Sequence, residues 1–228
     1  MIPILMVLVG AVFIVTPSKI LVSMTDIPYL VWVGIIIVYY FIATVLPVDK
    51  IIAKIYPIFG AALIFMALAM FGVLLFGDYD IPELTTLDNM HAKASELPII
   101  PTLCISIACG AISGFHATQS PLMARCMTNE KQARPIFFGA MISESIIALV
   151  WAAIAMAFFH GVDGLNIWMQ ENGNDAGLAV STISVATLGT LGSILALLGV
   201  VAAPITSGDT AFRSARLIVA DMLNYDQK

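Results

Sequence analysis

Six long apolar stretches constrain this chain more than any other feature of its sequence. They cover residues 2–15, 29–45, 55–76, 97–123, 136–159 and 183–203. The hydrocarbon core of a bilayer, about 30 Å thick, takes roughly 20 apolar residues of helix to cross. Of the 228 residues, 60% are hydrophobic and 11% charged, against about 45–50% and 25% in soluble domains. A water-soluble core could not hide that much apolar surface, whereas lipid solvates it. The expected fold class is all-α: a polytopic membrane helix bundle of about six transmembrane helices with an interrupted fourth, making one transmembrane domain over residues 1–228. Pro17, Pro28, Pro47, Pro98, Pro135 and Pro204 mark edges of the stretches, where a ring that cannot continue a helix can still open one.

Charge tests the layout independently. With the first connection, 16–28, placed outside, the inner segments are 47–54, 125–134 and the tail from Asp209. They hold eight of the ten basic residues, and the outer segments hold only Lys19 and Lys93. The acids lean the other way, into the long outer loops 77–96 and 160–179. Basic residues in short loops mark the cytoplasmic side, so the expectation is a multi-pass protein with both termini cytoplasmic. In the second outer loop, residues 166–168 suit an interfacial foothold, because Trp168 favours the headgroup level. The net charge of −5 is small and spread out, which argues against a nucleic-acid partner.

Two ionisable side chains, His116 and Glu144, fall inside the spans. Such groups cost several kcal/mol, roughly 2.5–3.5 on insertion scales for charged ones, and are functional candidates by default. Around His116 the chain reads Ser113, Gly114, Thr118, Gln119, Ser120 and Pro121. Pro121 would leave the Ala117 carbonyl without its helical partner. One reading is a broken helix of the kind that holds substrates and ions in transporters; the other is an ordinary proline kink. Glu144 lies between Ser143 and Ser145, with Ala140 and Ala148 at i±4 to let a neighbour approach. Desolvation favours the neutral form of a carboxyl, so Glu144 is expected to exchange a proton near neutral pH, or else to serve as a hydrogen-bonded structural group. His116 and Glu144 stand nine and ten residues from Arg125 and Arg134. That places both about 14 Å above one inner loop, and the two are expected to share a polar cavity.

The sixth stretch carries Gly189, Ser193, Ala196, Gly199 and Ala203, which suit close helix packing. After it, Thr206, Ser207, Asp209 and Thr210 either cap the next helix or offer oxygen ligands at a second interrupted helix. The tail 210–223 is an amphipathic candidate for the inner surface or for a lead into a further span.

Residues 107–125, Ile-Ala-Cys-Gly-Ala-Ile-Ser-Gly-Phe-His-Ala-Thr-Gln-Ser-Pro-Leu-Met-Ala-Arg, closely resemble the signature of the carbon starvation protein A (CstA) family. Residues 206–217, Thr-Ser-Gly-Asp-Thr-Ala-Phe-Arg-Ser-Ala-Arg-Leu, resemble its second hallmark. Leu46–Pro47 and the region from Gly139 to Glu144 are similar too. The resemblance implies a transporter of the cell inner (plasma) membrane, for peptides or pyruvate when carbon is scarce, with an inverted-repeat fold of the APC/LeuT type. By motif it assigns substrate or ion binding to Ser113, Gly114, His116, Thr118, Gln119 and Ser120, then Ser207, Asp209 and Thr210, and more loosely Glu144. Members of the family are longer, so the chain is expected to be an internal portion or a truncated member.

The leading expectation is thus a secondary active, proton-coupled transporter. Its partners would be the lipid bilayer, a small-molecule substrate (a peptide or small organic acid), protons, and the remaining helices or a homo-oligomer. The alternative is a non-transporting membrane module that assembles with partner helices or senses nutrient. An enzyme is not expected, since no HExxH or GxSxG motif occurs and no second carboxylate joins Glu144 within the spans. Cys104, Cys109 and Cys126 have no metal-ligand spacing, so neither a cofactor nor a metal is expected.

Overall fold

Pro17 does not end the first apolar stretch. In the computed structural model, helix α1 runs Ile2–Met24 with Pro17 inside it. The structure describes residues 2–45, 49–79, 81, 83, 89–91, 93–107, 120, 123–124 and 126–223. Its other helices are α2 Tyr29–Val45, α3 Asp49–Phe76, α4 Ile99–Ile107, α5 Ala140–Phe158, α6 Val162–Glu171, α7 Ala176–Ala196 and α8 Ala203–Met222. No strand occurs among the described residues. A 3-10 turn at Glu130–Gln132 and a π-helical turn at Arg134–Gly139 lead into α5. A second π turn, Leu197–Ala202, joins α7 to α8.

Among the described residues, four helical stretches are, by length and composition, long and apolar enough to cross a bilayer: Met6–Met24, Pro57–Phe76, Glu130–Phe158 and Ala176–Met222. Tyr29–Thr44 is a shorter apolar helix. Large apolar side chains such as Leu30, Phe41 and Leu149 stand exposed on these helices, as lipid-facing residues should. The expected first connection, 16–28, shrinks to the few residues after Met24. The expected outer loop 160–179 contains the ten-residue helix α6. The interruption expected in the fourth stretch falls within residues 108–119, outside those described.

The chain divides into two compact units, residues 1–66 with 175–228 and residues 67–174. In the first, α1 packs against α2 and α8. Phe212 lies over Gly10, and Gly208 sits against Phe13 and Tyr40, so α8 runs antiparallel to α1. The core here is Ile20, Leu21, Ile36, Tyr40 and Val201. The α1–α2 turn is held by Thr25, whose hydroxyl donates to Leu21 O (2.6 Å) and accepts from the Trp32 indole N–H (3.0 Å). In the second unit, Trp168 of α6 stacks on Phe159 with centroids 4.9 Å apart, and Asn166 donates to Met90 O at 2.7 Å. The Asn166 bond joins the two long acidic segments that the charge pattern puts on one side.

The sixth stretch departs most from expectation. It is not one straight span over 183–203, because Gly189 inside α7 has φ 57° and ψ −134°, a conformation close to glycine-only. A Cβ built on Gly192 would collide with the carbonyl of Ser184. In a straight helix these residues would be about 12 Å apart along the axis, so the chain doubles back at Gly189. Of the expected packing residues, Ala196 is fully buried and Gly199 meets Leu63 and Met66, whereas Gly189 is the hinge.

Candidate functional site

A proline in a helix removes the N–H that would bond the carbonyl four residues earlier. For Pro17 that carbonyl belongs to Phe13, and the Tyr40 hydroxyl of α2 donates to it at 3.0 Å. Gly208 of α8 leaves the space the Tyr40 hydroxyl occupies, since a Cβ there would strike it. Thus α1, α2 and α8 meet at one backbone defect, satisfied by a neighbouring helix as apolar surroundings require.

One turn further along α8 lies an ion pair. Asp209 is 1% exposed. The Arg213 guanidinium donates through Nη2 to Asp209 Oδ2 at 3.4 Å and to Ala43 O at 3.1 Å. Arg216 donates to Thr44 O. Ala43 and Thr44 lie in the last turn of α2, whose carbonyls have no intrahelical donor and attract cations. Tyr39 stands within electrostatic reach of Asp209 and Arg213. The small buried residues Gly208, Ala211, Ser214 and Ala215 form the face of α8 that permits this approach.

Both expected readings of residues 206–210 change. These residues lie inside a continuous helix, and α8 has no side-chain cap. Thr210 donates instead to Thr206 O at 3.0 Å and Ser214 to Thr210 O at 2.8 Å. Ser207 is half-buried on the same helix. The tail from residue 210 is also not a surface helix, because it packs on α1 and α2. His116 and Glu144 are therefore not the only ionisable groups in the apolar segments: Asp209 and Arg213 join them. The small-residue spacing at 208, 211 and 215 was the sequence signal for that burial.

In the second unit, Glu144 is half-buried on α5, where Ala140 is exposed and Ala148 half-buried. Its neighbours Ser143 and Ser145 donate to Gly139 O (3.0 Å) and Met141 O (2.8 Å), turning their hydroxyls to their own helix. Ser120 is helical and half-buried. Ser113, Gly114, His116, Thr118 and Gln119 lie outside the described residues, and so does the expected approach of His116 to Glu144. No group of three metal-ligating side chains occurs among the described residues.

Residues 1–193 match the family described as carbon starvation protein CstA. The chain belongs to that family. It is 46% identical over 151 residues to an uncharacterised membrane protein of Haemophilus influenzae, covering 59% of this chain and 41% of the relative. It is 30% identical over 154 residues to the pyruvate/proton symporter BtsT of Escherichia coli (66% of this chain, 21% of the relative). With the peptide transporter CstA of Escherichia coli it shares 32% over 156 residues (61% and 21%). The chain thus spans less than half the length of these relatives. No solved structure matches it. Family and apolar helices together make it a multi-pass membrane protein. The CstA match ends before residues 206–217, so the likeness there stands on those residues alone.

Proposed function

We propose that this chain is part of a secondary active transporter of the inner membrane, carrying a peptide or pyruvate with protons when carbon is scarce. The observation that carries the reading is the CstA match over residues 1–193, alongside relatives named as a pyruvate/proton symporter and a peptide transporter. In this reading Glu144 carries the proton, since a carboxyl on an apolar helix is the usual element of an intramembrane relay. His116, with Ser113, Gly114, Thr118, Gln119 and Ser120, binds substrate, and Ser207, Asp209 and Thr210 contribute from α8. The termini face the cytoplasm, as the basic segments indicate.

Uptake of labelled pyruvate or dipeptide into proteoliposomes under an imposed proton gradient tests it. The gradient should drive accumulation, and Glu144→Gln should abolish the driven part. Undiminished uptake in both Glu144→Gln and His116→Ala would remove the roles assigned to these residues. A second reading is a non-transporting module that assembles with further helices. It expects no uptake by the chain alone for any substrate.

A further inference from the structure

Between α1, α2 and α8 lies an open groove of about 320 Å³, lined by Ile14, Ile37, Tyr40, Phe41, Thr44 and Phe212. Its walls are apolar except at Thr44 and the Tyr40 hydroxyl, and that hydroxyl is committed to Phe13 O. Phe41 and Ile37 stand exposed along its rim. At its Thr44 end the chemistry changes: Arg216 donates to Thr44 O and Arg213 to Ala43 O. Two guanidiniums therefore sit side by side at the end of α2, and among the described residues Asp209 pairs with Arg213. Arg216 is exposed, and the bond to Thr44 uses one of the five N–H donors a guanidinium carries.

We infer that this groove holds an acyl chain of an anionic phospholipid, with the lipid phosphate on Arg216. An apolar slot that ends at an excess positive charge, on a chain embedded in lipid, has the shape and charge of such a ligand. Basic sites between transmembrane helices bind anionic headgroups in this way, and guanidinium geometry matches phosphate. Arg213 is held by Asp209 and Ala43, so Arg216 carries the headgroup.

The test uses the full chain in nanodiscs of phosphatidylcholine mixed with phosphatidylglycerol, each lipid in turn carrying a photoactivatable acyl chain. Phosphatidylglycerol should label peptides bearing Ile37, Phe41 and Phe212. Lipid retained after detergent extraction should be enriched in phosphatidylglycerol about fivefold over the bulk, the preference one basic residue exerts at an anionic surface. Arg216→Gln should return the ratio to the bulk value and Arg216→Lys should keep it. Ile37→Trp, which fills the slot, should remove the labelling by both lipids. Retained lipid at the bulk ratio, labelling away from the groove, or a groove shielded from both lipids by a second copy would overturn the assignment. If Arg216→Gln does not fold, the wild-type ratio and label positions decide alone.

Discussion

The Tyr40 hydroxyl donates to the Phe13 carbonyl that Pro17 leaves without its helical partner. If that is why Tyr40 is there, its value depends on the proline. Tyr40→Phe should destabilise the chain by about 1 kcal/mol, the usual range for interhelical hydrogen bonds in membranes being about 0.6–2. In a Pro17→Ala background the Phe13 carbonyl regains an N–H, and the same change should cost clearly less. Thermal unfolding of the four variants in detergent measures the coupling. Equal costs in both backgrounds would separate the hydroxyl from the defect.

Gly208 makes room for that hydroxyl, so Gly208→Ala should cost on the order of 1–3 kcal/mol, as overpacking usually does. A Cβ on Gly34 of α2 meets nothing within 4 Å. Gly34→Ala should therefore be neutral or stabilising by up to about 1 kcal/mol, the helix-propensity gain. Opposite shifts in melting temperature would bear this out.

Asp209 and Arg213 should behave as a pair. Removing one partner of a buried ion pair leaves an uncompensated charge and costs about 3–5 kcal/mol. Asp209→Asn and Arg213→Gln should each lower the yield of folded protein sharply. The double variant should recover part of the loss, which folded fraction by size-exclusion chromatography will read.

Asp175 has two roles of different size. Its Oδ1 caps α7 by accepting from Gly177 and Leu178 N–H (3.0 and 3.2 Å), and its Oδ2 lies 3.3 Å from Lys19 Nζ. A cap is worth about 1 kcal/mol, whereas a pair with a lysine 47% exposed is worth about 0.2–1. Asp175→Ala should thus destabilise more than Lys19→Gln, and Asp175→Asn should resemble Lys19→Gln. A melting temperature for Asp175→Asn as low as for Asp175→Ala would make the ion pair dominant.

The long apolar helices were legible because run length and apolarity decide them, whereas α6 fell in a segment that reads as loop; the family was legible in residues 107–125. The joints were not. Pro17 reads as a helix edge by local rules, and only Tyr40, 27 residues beyond Phe13, reveals how the helix continues. Arg213 reads as a solvated tail charge, but its acceptor at Ala43 is 170 residues away, and no local pattern announces such a partner. Gly189 sits in a small-residue row that suits straight packing as well as reversal. Its backbone angles distinguish the two, and they depend on the contacts of Ser184 and Gly192.

The doubling-back at Gly189 bears on how sidedness is inferred. An apolar run that enters and returns consumes the length of a crossing without exchanging one face of the bilayer for the other. Odd and even counts then no longer follow from the number of apolar stretches. For this chain, the antiparallel packing of residues 203–222 on α1, and not the number of apolar stretches, sets the side on which they begin. Chemical labelling of single cysteines placed on either flank of residue 189 would read it directly.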